Sequence, residues 1–66
     1  MSVLKVIEVL SSSNTSWEDA TSKAVEKASK SVKHIRSVYV QDQSATVKDG
    51  KVTEYRVNLK LTFEIE

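Results

Sequence analysis

The 66 residues carry 10 basic and 9 acidic side chains, a net charge of +1 and no cysteine. They make one domain over residues 1–66 the expectation, and exclude both a disulfide framework and the one-sided basic field of a nucleic-acid-binding protein. His34 is the sole histidine, which argues against a metal staple; no apolar run approaches the about 20 residues that span a membrane, and residues 1–5 lack the apolar core of a signal peptide, so a soluble, cytoplasmic protein is expected.

Residues 3–10 are rich in β-branched side chains and predict a first strand. One parity carries Val3, Ile7 and Val9 with Lys5, the other Leu4, Val6 and Leu10 with Glu8. Two largely apolar faces suit a strand covered on both sides. Ser11, Ser12, Ser13 and Asn14 follow as a polar linker. The Thr15-Ser16-Trp17-Glu18 run fits a capping box with Thr15 as the N-cap and Glu18 reaching back to its N–H. Trp17, Ala20, Ala24, Val25, Ala28, Val32 and Ile35 then recur at three- and four-residue steps, which predicts a helix of about 18 residues, roughly 27 Å long. Lys30 and Lys33 near its end suit the dipole. The middle of the stripe is alanine, so the helix can approach a sheet closely.

Residues 35–48 and 51–65 read as two strands around Asp49-Gly50, a strong hairpin signal. Each strand would run to about 45–50 Å, far beyond what the helix can cover, and the overhang argues for self-association. With a two-residue loop, paired numbers sum to 99: Val38 faces Leu61 and Val40 faces Leu59. Val57, Phe63 and Ile65, and nearer the turn Asp42, Ser44, Thr53 and Tyr55, share that side. The opposite face reads Ser37, Tyr39, Gln41 and Gln43 against Arg56, Asn58, Lys60 and Thr62. The order is β-α-β-β, an α+β fold. With the last strand in the middle, a three-stranded antiparallel sheet wraps around one helix.

Few residues carry chemistry. His34 at the helix exit has no nucleophile or carboxylate placed with it, and a last-turn histidine serving helix carbonyls is the plainer reading. Glu8, Asp42 and Glu54, and likewise Glu64 and Glu66, can approach across strands, but solvated faces or interface ion pairs account for them. Carboxylate rings on a symmetry axis could instead hold a hard cation. Trp17 suits a core or subunit contact. Tyr39 offers a stacking surface or a cross-strand partner for Lys60. No nucleophile–base pair or metal set is visible, so an enzyme is not expected.

Taken together, Lys5-Val6-Ile7-Glu8-Val9, Ser12-Ser13, Thr15-Ser16-Trp17-Glu18-Asp19-Ala20, Lys27-Ala28-Ser29-Lys30, and Asp49-Gly50-Lys51-Val52-Thr53-Glu54-Tyr55 with alternation to Phe63 resemble the dodecins along essentially the whole chain. The resemblance implies a β-α-β-β subunit and a hollow homododecamer built from trimers. It also implies a store for a small-molecule ligand, with flavin (riboflavin, FMN or FAD) stacked between tryptophans at subunit interfaces. Some members bind coenzyme A, and some have been linked to calcium.

Carried over by position, the family's stacking tryptophan falls on Ser37, its flavin-contacting glutamine on Arg56, and its acidic pocket residue on Asp42, followed by Gln43. Ser37 has no π face, and a guanidinium donates hydrogen bonds without accepting any. Arg56 can stack on a flat ring or clamp an anion. Tyr39 and Gln43 are further candidates for stacking or pocket lining. Flavin binding is therefore expected to be weak or lost. A cation-binding or structural cage, or a coenzyme A or other anion-binding variant, stands as the alternative.

Overall fold

A computed structural model describes residues 2–65; Glu66, paired above with Glu64, lies outside the described residues. Strand β1 (Leu4–Ser13) leads to helix α1 (Trp17–Ala28), and β2 (Ile35–Lys48) and β3 (Lys51–Glu64) complete the chain. The sheet order is β1-β3-β2, antiparallel throughout, as the element order predicts. The molecule measures 51 × 20 × 13 Å. Its core lies where α1 meets the sheet: Ala20, Leu59 and Leu61 have no exposed surface, Val57 has almost none, and Ala24, Val9, Val38 and Trp17 close around them. The alanines let the helix axis sit close to the leucines of β3.

Three local expectations are corrected. The serine run is not a linker, because β1 continues through Ser13 opposite Tyr55. There the Ser11 hydroxyl donates to the Ala20 carbonyl and the buried Ser13 hydroxyl donates to Asp19, so these serines fasten the helix to the strand. The N-cap is Ser16, one residue later than the capping box suggests, its Oγ accepting from Asp19 N–H at 2.9 Å. The helix stops at 12 residues, about 18 Å, short of Lys30, Lys33 and Ile35. Ser29 turns its hydroxyl back onto the Val25 carbonyl, a competition that disfavours continued helix. A turn at residues 29–31 and a short connection through 34 follow, so His34 lies beyond the helix at φ +65°, with its carbonyl accepting from Glu64 N–H.

The hairpin closes as expected, with Lys48 opposite Lys51 and positive φ at both Asp49 and Gly50, the signature of a type I′ turn. Its register departs from one constant sum. Arg36, Gln41 and Thr53 are each skipped by the ladder, and such bulges bend and twist a strand. Between Asp42 and Thr46 the pairing is therefore offset by one residue: Asp42 faces Asn58, Gln43 faces Val57 and Ser44 faces Arg56.

Candidate functional site

The bulge at Gln41 decides which side chains share a face. Val57 lies beneath α1, so its neighbour Gln43 takes the helix side, while Asp42 and Ser44 join Asn58 and Arg56 on the outer side. This reverses the expected arrangement, which placed Gln43 with Arg56 and put Asp42 and Ser44 on the helix side. Past the bulge, every residue of β2 changes face relative to simple alternation.

The outer side of the sheet is read in rows across β1, β3 and β2. Val6, Thr62 and Ser37 form one row, and Glu8, Lys60 and Tyr39 the next. Leu10, Asn58 and Asp42 follow, then Ser12, Arg56 and Ser44. The last two rows line an open cleft of about 530 Å³. The structure thus brings Asp42 and Arg56 together. Ser37 stays opposite Thr62, six positions along β3 from Arg56, or roughly 20 Å. Tyr39 is 65% exposed beside Lys60 and does not line the cleft. Sequence reasoning missed Ser12, Ser44, Asn58 and Leu10 as cleft residues. Following β1 past residue 10 would have found Ser12; Ser44 required knowledge of the bulge.

Arg56 makes one ionic contact among the described residues, 3.7 Å to Glu54, and does not pair with Asp42. Asn58 Oδ1 is shut from water and accepts no hydrogen bond. Beneath the cleft, Trp17 Nε1 donates to the Ser44 carbonyl at 2.8 Å and its ring meets Tyr55 edge-on, with centroids 5.0 Å apart. Trp17 is therefore a packing residue on the helix side. None of the cleft's lining residues is aromatic, so the residues present do not fit a stacked isoalloxazine ring. Among the described residues, no three histidine, cysteine, aspartate or glutamate side chains converge to hold a metal within one chain, and no helix is long and apolar enough to cross a membrane.

Two carboxylates elsewhere are tuned. The Ser13 hydroxyl and then Lys23, whose Nζ is 3.1 Å away, hold Asp19 below the usual aspartate range. Arg36, with Nε at 2.9 Å, and then the Ser2 hydroxyl do the same for Glu64. Both act as fasteners, Asp19 where β1 ends beside the helix and Glu64 at the open end of the hairpin.

The dodecin family model matches residues 3–66. The calcium dodecin of Mycobacterium tuberculosis is 44% identical over 66 residues, covering 98% of this chain and 92% of that protein. A crystal structure of that organism's calcium-chelating immunodominant antigen, calcium dodecin, with a novel calcium-binding site, aligns at a TM-score of 0.84 and 41% identity over 98% of this chain and 93% of that one. The dodecin of Streptomyces coelicolor aligns at 0.93 and 29% identity over 98% and 93%.

Proposed function

The chain belongs to the dodecin family, and from that premise we propose that it is a cytoplasmic, non-enzymatic binding protein. In this reading it assembles as a homododecamer built from trimers and stores small ligands between copies, with flavin affinity weak or lost. The outer face of the sheet carries this reading. It joins a polar cleft containing Asp42 and Arg56 to exposed apolar side chains, Leu4, Val6 and Leu10, that the chain's own helix leaves bare. Ser37 and Arg56 lie too far apart for one ligand to reach both within a chain, so a site using both spans two copies. Binding and assembly are then linked.

A second reading, cation storage without an organic ligand, is favoured by the likeness to a calcium dodecin. Because one chain's described residues offer no group of three converging His, Cys, Asp or Glu side chains, the cation would sit where several copies meet.

Light scattering should give a mass of about twelve 7.4 kDa chains; a stable monomer overturns the assembly. Riboflavin fluorescence and calcium calorimetry on the same sample separate the ligands. Micromolar quenching of riboflavin would contradict the loss of flavin affinity, and calcium heat with an inert riboflavin titration selects the cation reading.

A further inference from the structure

The outer cleft segregates its chemistry by row. The Ser12–Arg56–Ser44 row presents a guanidinium flanked by two hydroxyls, all able to donate. The Leu10–Asn58–Asp42 row presents a carboxylate beside an apolar side chain that is 76% exposed. Asp42 and Arg56 are diagonal neighbours with Cα atoms about 7–8 Å apart, yet they do not neutralise each other. The two charges that line the cleft, Asp42 and Arg56, sum to zero and make it dipolar along the strand direction, and Arg56 must turn from its 3.7 Å contact with Glu54, outside the lining, to meet a ligand. A simple anion would gain Arg56 but face Asp42, and a simple cation would meet the reverse.

We propose that this cleft binds a small amino-acid-like zwitterion. Its carboxylate lies on Arg56 between the Ser12 and Ser44 hydroxyls, where the guanidinium can grip it with two parallel hydrogen bonds. Its ammonium lies on Asp42. The ligand's apolar part covers Leu10. This ligand rests on the binding-protein reading above and gives its outer-face site a chemical class. The other large cleft, between β1 and α1, has lysines 23 and 27 on its rim and no carboxylate, so it lacks this pairing.

The test is calorimetry on the assembled protein with L-leucine, 4-methylpentanoate, which lacks the ammonium, and 3-methylbutylamine, which lacks the carboxylate. Leucine is expected to bind at least tenfold tighter than either. Asp42→Asn should reduce leucine binding to the level of 4-methylpentanoate, and Arg56→Met should abolish both. No heat from leucine, or equal affinity for leucine and 4-methylpentanoate, overturns the proposal. Light scattering on each sample keeps the two readings apart. A twelve-chain protein that ignores leucine retains the storage assembly and loses this ligand. A single chain that binds leucine does the opposite. Should either variant lose the wild-type mass, Ser12→Ala with Ser44→Ala replaces it, with a fivefold or greater loss of leucine affinity expected and unchanged affinity overturning the proposal.

Discussion

Ser37 and Asp19 show how single side chains set ligand and stability. Ser37 stands on the outer face, at the position that the family resemblance implies for a stacking ring, and base–aromatic stacking contributes about 1–3 kcal/mol per ring. Ser37→Trp should therefore tighten riboflavin binding at least tenfold in a fluorescence titration, since about 1.4 kcal/mol is one decade. Unchanged affinity would assign the block to Arg56 and the shape of the cleft. Asp19 works through charge. Its carboxyl is held by the Ser13 hydroxyl and Lys23 below its ordinary value of 3.8, so the unfolded chain takes up a proton at higher pH than the folded one. The stabilisation is full above that ordinary value and fades as pH falls through the lowered folded value. Melting temperature should drop on acidification below the ordinary aspartate range, and Asp19→Asn should flatten that drop while lowering stability at neutral pH. Glu64, held down by Arg36 and Ser2, adds a slope of the same sign in both proteins. Parallel acid limbs for wild type and variant would refute the assignment to Asp19. Both positions were visible in the sequence, but only Ser37 could be given a role there. Asp19 is a first-turn acid of α1, and its partner Ser13 reaches it only because β1 continues through the serine run.

At the scale of elements, patterns that depend on one residue and its neighbours were readable, and those that depend on competition were not. Alternation and Asp49-Gly50 gave the hairpin and its closing pair, and the alanine stripe gave the helix face. The helix end was hidden because Val32 and Ile35 continue the apolar spacing, whereas at that end the Ser29 hydroxyl turns onto the Val25 carbonyl, a local competition that spacing does not reveal. The bulge at Gln41 was hidden because no local signal marks it, and it moved Asp42, Gln43 and Ser44 to the opposite faces from those expected. The turn itself yields a clean prediction. Gly50 holds φ +76° with nothing within 4 Å of a would-be Cβ, so Gly50→Ala pays only for left-handed backbone, about 1–2 kcal/mol. Urea denaturation should show that loss with an unchanged m-value. A neutral outcome would mean that the turn relaxes to another conformation.

For the whole molecule, burial is the governing quantity. A helix of about 18 Å lies on a molecule 51 Å long, and the core is five small or aliphatic side chains plus their partial neighbours. Val47 and Val52 near the turn are 66% and 51% exposed, and Val6 on the outer face of β1 is 54% exposed. A chain of this size is marginal on its own, so covering those side chains with other copies should supply a large part of its stability. Two consequences are measurable. The wild-type melting temperature should rise with protein concentration, as it must when the folded state is an assembly and the unfolded state is single chains. Val6→Asp should lower both the mass seen by light scattering and the melting temperature. It adds no buried charge within one chain, so a loss of mass cannot come from that chain's own core, and the fall in melting temperature should exceed the about 1 kcal/mol that strand propensity alone can cost. A melting temperature independent of concentration, together with a Val6→Asp protein of unchanged mass, would mean that the small core under α1 suffices and that the bare strand faces have another occupant.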